Sequence, residues 1–248
     1  MIPFIELKTI ALGPLTIQAW GLMVALGILA GTIVAARLAE RRGLDASVVW
    51  DVAVWITAAS MIGGRLFHVA FYDPGTYIAD PLQIFAIWKG GLSMFGGLVG
   101  ATIAALWFLR RKKLDLLVYA DTLCHGLPIG IGIGRIGCFL IHDHPGTLTD
   151  FVLGAKFPDG SVRHDLGLYE SIYGFVLAIV FLALAKRNAK PPTYLVVFLS
   201  TYGTFRFFAD FLRIVDARYL GLTPAQYLSI AMVGLAIWIR QIKLSARS

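Results

Sequence analysis

The chain has 248 residues, 58% of them hydrophobic and only 15% charged, and its mean hydropathy of +0.74 excludes an ordinary soluble globular domain. The net charge of +7 comes mainly from basic clusters between apolar stretches, so it calls for no nucleic-acid partner. The expected fold class is an all-α polytopic membrane protein.

In chain order, residues 1–16 form a short outer segment. The first span is preceded by Glu6 and Lys8 rather than a basic n-region, and no small-residue cleavage site follows it, so no removable signal peptide is expected. Seven windows are long and apolar enough to cross a bilayer: Ile17 to Leu38, Val48 to Tyr72, Leu92 to Leu109, Leu116 to Ile141, Leu168 to Ala185, Tyr194 to Leu212 and Leu222 to Ile239. Connections are short except two, Asp73 to Gly91 and His142 to Gly167. The second carries Pro145, Gly146, Pro158, Asp159 and Gly160, and Asp150 to Phe157 is expected to pair with Ser161 to His164 as a hairpin. The expectation is therefore seven transmembrane helices in a single membrane domain over 1–248, with a small extracytoplasmic cap at about 142–167.

Basic residues orient the spans. Arg37, Arg41 and Arg42, then Arg110 to Lys113, then Lys186, Arg187 and Lys190, then Arg240, Lys243 and Arg247 fall on alternate connections, 13 of the 22 Lys and Arg residues. That side is the expected cytoplasmic face, which puts the N-terminus outside and the C-terminus inside. Lys8, Lys89, Lys156, Arg163, Arg213 and Arg218 lie on the opposite side. Cys124 and Cys138 share the fourth span about 21 Å apart, beyond disulfide reach, and are expected as free thiols.

Arg65, Arg135 and Arg206 interrupt apolar spans, each in the outer half of its span. A guanidinium there costs several kcal/mol unless it meets a cavity or a partner, which suggests an anion site, with a phospholipid headgroup the natural candidate. In the sixth span Tyr202, Arg206, Asp210 and Arg213 follow spacings of 4, 4 and 3 and share a stripe about 80° wide that must face inward. Either Arg206 and Asp210 neutralise each other locally, or the surplus from Arg213 and Arg135 recruits an external anion. Gly132-Ile-Gly134-Arg-Ile-Gly137 formally matches a dinucleotide fingerprint but lacks its βαβ context, so helix packing is the reading kept. Gly90, Gly91, Gly96, Gly97 and Gly100 around Ser93 suggest either a broken helix entry beside a ligand or a packing seam. His142, Asp143 and His144, and His164, Asp165, Tyr169 and Glu170, flank the cap. Their spacing matches no defensible zinc pattern, so no metal or cofactor is expected, and a histidine acting as general base is preferred.

These residues resemble those of the bacterial prolipoprotein diacylglyceryl transferase family. The matches are Trp20-Gly21-Leu22-Met23, Gly63-Gly64-Arg65, Gly90-Gly91-Leu92-Ser93 with Gly96-Gly97-Leu98, Asp121 with Pro128, and Gly134-Arg135-Ile136-Gly137. Arg163-His164 with Leu168-Tyr169-Glu170, and Tyr202-Gly203 with Phe205-Arg206, Asp210 and Arg213, complete the series. The resemblance implies a seven-span enzyme of the bacterial inner membrane with two partners, phosphatidylglycerol and a prolipoprotein signal peptide whose lipobox cysteine accepts the diacylglyceryl group. It implies Arg135 and Arg206 as catalytic residues that take up charge on the departing phosphate. Arg65, Gly90, Gly96, Asp121, Asp143, Glu170, Tyr202, Asp210 and Arg213 are implied at the substrate. Phe95, Trp20 and Cys138 stand where the family has histidine, tyrosine and asparagine, and Asp143 and Asp210 where glutamate is usual. His164 is therefore the preferred base, with His142 and His144 as alternatives. The competing reading is a divergent homologue that binds or transports anionic phospholipid, or uses another acceptor.

Overall fold

In a computed structural model, the structure describes all residues except Pro14, Asp73, 87–89, 215–217 and 246–248. Lys89 and Arg247 thus lie outside the described residues. The helices are α1 (Ala19–Arg41), α2 (Ala46–Phe71), a short α3 (Pro74–Ala79), α4 (Met94–Arg111), α5 (Leu116–Ile141), α6 (Leu166–Lys186), α7 (Thr193–Ala209) and α8 (Pro224–Ser245). Among the described residues six of them, α1, α2, α5, α6, α7 and α8, are both long and apolar enough to cross a membrane. The surface fits that solvent: Val54, Ile62, Ile103, Ile179 and Phe208 are exposed, whereas Asp121, Glu170, Arg206 and Asp210 are buried.

Short polar residues start these helices. Asp45 caps α2 through the Ser47 N–H, Ser93 caps α4, Asp115 accepts from Leu117 and Val118 at the start of α5, and Asp165 accepts from Leu168 in α6. The N-cap position of α7 is Pro192, which has no side-chain acceptor to offer. Asp121 of α5 substitutes for it, its Oδ1 accepting from the Leu195 N–H at 2.8 Å. Thr223-Pro-Ala-Gln226 opens α8 as a reciprocal capping box with proline at the first helical position.

Contacts divide the chain into two compact units, 1–38 with 120–248, and 39–119. In the first, α1 and α5 approach backbone to backbone where Gly27 and Gly31 meet Gly126 and Gly130; a Cβ on Gly31 would sit 2.9 Å from the Gly126 carbonyl oxygen. The core of this unit gathers Leu38, Cys124, Leu177, Phe181, Tyr194 and Phe198. Four strands, β1 (Ile2–Pro3), β4 (Pro145–Leu148), β5 (Ala155–Lys156) and β6 (Val162–Asp165), form a sheet in the order β1-β5-β6-β4. β5 and β6 realise the expected hairpin in a shorter form, and the chain start adds a parallel strand beside β5. A second hairpin joins β2 (Thr9–Leu12) to β3 (Leu15–Gln18). In the second unit, Gly63, Gly96 and Gly100 hold α2 against α4. The α4 glycines thus form a packing seam, and Ser93 begins a regular helix there.

Asp165 also joins the strand layer to α5, because its Oδ2 meets His142 Nδ1 at 2.7 Å with both side chains buried. Burial raises its carboxyl above the ordinary range, against the pull of the Leu168 N–H and His142. Asp165→Ala removes a helix cap and strands a buried ring nitrogen, for an expected loss of about 2–4 kcal/mol. The thermal midpoint in detergent checks this, and Asp165→Asn, which keeps an acceptor, should lose less.

Candidate active site

Five charged side chains of the first unit form one chain of alternating sign. Arg135 Nε lies 2.8 Å from Glu170 Oε2, and Arg206 Nη1 pairs with the other oxygen, Glu170 Oε1. Arg206 Nη2 reaches Asp210 Oδ1 at 3.1 Å, and Arg213 Nε approaches the same oxygen at 3.7 Å. Thr223 donates its hydroxyl to Asp210 Oδ2. The Tyr202 hydroxyl is hydrogen-bonded with Arg135. An uncompensated ion among these helices costs several kcal/mol, so the alternation makes the cluster tolerable. Among these five ionisable groups the formal sum is +1.

Backbone contacts set the reach of each side chain. α5 and α6 touch at Gly132 and Gly174, where a Cβ on Gly174 would lie 2.8 Å from the Gly132 Cα, and Ser171 Oγ donates to the Gly132 carbonyl at 2.8 Å. Arg135 lies one turn after Gly132 and Glu170 one turn before Gly174, so the seam delivers one to the other. α7 and α8 approach where Gly203 faces Ser229, which brings the α8 capping box to Asp210. Thr223 was not anticipated as part of the site, although Thr-Pro-Ala-Gln is a legible helix start.

The structure brings together Arg135, Glu170, Tyr202, Arg206, Asp210 and Arg213. Arg206 and Asp210 do pair at i and i+4, and Glu170 joins them from another helix. Asp121 lies about 21 Å from Arg135 along α5 and caps α7. In the other unit Arg65 is saturated by backbone: Nε donates to Ile84, Nη1 to Gly90 and Gly91, and Nη2 to Gln83 and Ala86, at 2.5–3.3 Å. Gly90, at φ +85, turns its carbonyl to that guanidinium, and Gly96 packs against Gly63 and Phe67. Arg65 thus clasps Gln83, Ile84 and Ala86 together with Gly90 and Gly91.

His164 Nδ1 lies 2.8 Å from the Tyr169 hydroxyl, beside the Phe151 ring, and partial burial lowers its proton affinity below the ordinary imidazole value. His142 has φ +48, a turn that reverses the chain at the end of α5, and its ring stacks on Phe4 at 4.3 Å. The reversal sends Asp143 and His144 back toward Cys138, so that donor atoms of the three lie within 4.8 Å of one another. Asp143 pairs with His144 Nδ1, and Arg135 Nη1 donates to Cys138 Sγ at 3.6 Å.

Helices with apolar exposed faces, a layer of short strands and an internal run of paired arginines and carboxylates define a polytopic membrane protein. A family model for prolipoprotein diacylglyceryl transferase matches residues 8–242, and the chain belongs to that family. Among its relatives, a phosphatidylglycerol–prolipoprotein diacylglyceryl transferase of Geobacter sulfurreducens is 37% identical over 230 residues, covering 91% of this chain and 88% of the relative. A protein of the same description from Pseudomonas paraeruginosa is 36% identical over 253 residues, covering 96% and 94%. Another from Pseudomonas putida is 36% identical over 244 residues, covering 93% and 91%. The chain is a multi-pass bacterial membrane protein.

Proposed function

We propose that this protein transfers the diacylglyceryl group of phosphatidylglycerol to the lipobox cysteine thiol in the signal peptide of a prolipoprotein, forming a thioether and releasing glycerol phosphate. The observation that carries this reading is the sharing of one carboxylate, Glu170, by Arg135 and Arg206. Sulfur attacks a glycerol carbon, the carbon–oxygen bond to phosphate breaks, and negative charge gathers on the departing phosphate. Guanidiniums held in place beforehand stabilise that charge without reorganising. Arg135, its side chain 22% exposed against 8% for Arg206, meets the lipid phosphate first. Tyr202 steadies it, and Arg213 with Asp210 extends the clamp.

The same reading makes α4 the seventh crossing, since its 18 residues span about 27 Å. It places the strand layer outside the bacterial inner membrane, the N-terminus outside and the C-terminus in the cytoplasm. Supporting it, α1, α4, α6 and α8 all end in basic residues.

Purified protein with phosphatidylglycerol and a lipobox peptide bearing a free cysteine should yield the thioether by mass spectrometry, with stoichiometric glycerol phosphate. Lipid binding with neither product would replace the reading with that of a phospholipid-binding homologue.

His164 takes the thiol proton in this scheme. His164→Ala is expected to abolish turnover while retaining lipid binding, and near-normal rates would remove it as base. Because its folded proton affinity is lowered, the neutral, basic form persists below the usual pH of about 6.5. The acid limb of the rate profile should therefore fall below that pH in wild type.

A further inference from the structure

α5 and α6 meet along an antiparallel seam whose rungs follow one another in step. Ser171 Oγ donates to the Gly132 carbonyl at 2.8 Å, and Arg135 Nε lies 2.8 Å from Glu170 Oε2. A Cβ on Gly167 would sit 2.7 Å from the Phe139 nitrogen, and His142 Nδ1 meets Asp165 Oδ2 at 2.7 Å. Gly132, Arg135 and Phe139 recur at spacings of 3 and 4 on one face of α5, and His142 continues the row just past its end. Arg135 and Glu170 are long side chains that reach across the seam without setting its width. The short rungs on either side of them set it.

The terminal rung does so with one carboxylate. Asp165 Oδ1 accepts the Leu168 N–H and starts α6, while Oδ2 holds His142. His142 reaches it from backbone at φ +48, a left-handed conformation that an L side chain adopts at a cost. Its ring lies 4.3 Å from that of Phe4, 5.2 Å from Phe139 and 5.5 Å from Phe157. Both side chains of the pair are buried, and among the described residues His142 Nε2 has no hydrogen-bond partner. A ring so enclosed has no route to a substrate thiol, so His142 is not the base.

Resting on the function proposed above, we propose that His142 and Asp165 are a positioning pair for the transfer: their hydrogen bond fixes the end of α5 against the start of α6 in the register that seats Arg135 on Glu170. The pair acts through Arg135 and not on the reacting atoms. Without it the last turn of α5 and the first turn of α6 part. Arg135 then no longer presents its guanidinium where the departing phosphate gathers charge.

Two substitutions separate the hydrogen bond from the packing. His142→Asn puts an amide nitrogen where Nδ1 stands and tolerates the left-handed turn, but gives up the ring stack. His142→Phe keeps a ring beside Phe4 and gives up the hydrogen bond. With phosphatidylglycerol and the lipobox cysteine peptide, full-length His142→Asn in detergent should form thioether with kcat within about threefold of wild type. His142→Phe should be about 10–100-fold slower, with KM for lipid unchanged in both. Should His142→Phe not fold, His142→Gly, which suits the turn, takes its place with the same expectation. Packing alone would reverse the order, so a wild-type rate in His142→Phe, or His142→Asn no faster than His142→Phe, overturns the pair. In a Glu170→Gln background the further loss from His142→Phe should shrink to about twofold, because both changes act on the seat of Arg135. A full additional loss overturns the route through Arg135. Amide hydrogen exchange gives a readout free of turnover: the first turns of α6 should exchange at least about tenfold faster in His142→Phe and near wild type in His142→Asn. Unchanged exchange overturns the pair whatever the activity. Faster exchange together with no thioether from wild type overturns the transferase reading and leaves the pair's hold on the seam standing.

Discussion

Arg206→Ala should cut thioether formation about 10²–10³-fold, the usual cost of removing one donor aimed at developing charge. It is also expected to destabilise the protein by about 3–5 kcal/mol, because Glu170 and Asp210 each lose a buried partner. The two effects separate with Arg206→Lys. Lysine keeps the charge but lacks the planar fork that spans two carboxylates, so the thermal midpoint should largely recover while turnover does not. A rate for Arg206→Ala within a few-fold of wild type, in protein that still folds, would remove Arg206 from the chemistry.

Glu170→Gln should lower kcat about a hundredfold with little change in KM for lipid. The amide keeps the size of the side chain but no longer attracts both guanidiniums, and displacement of a positioning group by about 1 Å costs that much. Lipid affinity is expected to hold, because the site becomes more positive. Glu170→Ala should instead cost about 3–5 kcal/mol of stability, leaving two buried cations short of a counter-ion. An unaltered kcat in Glu170→Gln would show that the two arginines need no shared pivot.

The helical elements were legible because apolar length and capping chemistry are local. Leu116 to Ile141 is the same residue for residue in expectation and structure, and the other spans shift by at most six residues at an end. The sixth span runs on into a tighter turn at Asp210–Leu212, as its expected end at Leu212 allowed. The strand layer was half legible: the β5–β6 pairing shows in alternation and turn residues, whereas β1 joins β5 from about 150 residues away with two residues and no pattern. The 4-4-3 stripe correctly turned Arg206 and Asp210 inward. It could not reveal that Glu170 would unite Arg135 with Arg206, since that depends on Gly132 meeting Gly174. Asp121 and Arg65 carry the same lesson. Each is a buried charge in an apolar helix, and one caps α7 while the other clasps a loop.

Cys138 is the clearest divide. Its burial within α5 could be foreseen, but its nearness to Asp143 and His144 follows from the reversed backbone at His142, a left-handed conformation that no side-chain pattern announces.

The membrane class, the run of helices and the positions of the unavoidable charges are properties of the sequence by itself, because hydropathy and helical period act over one or a few turns. Which carboxylate answers which guanidinium, and which donors gather at the end of α5, were decided only in the folded state. A buried ion must find a counterpart, yet nothing in desolvation physics says how far along the chain that counterpart lies.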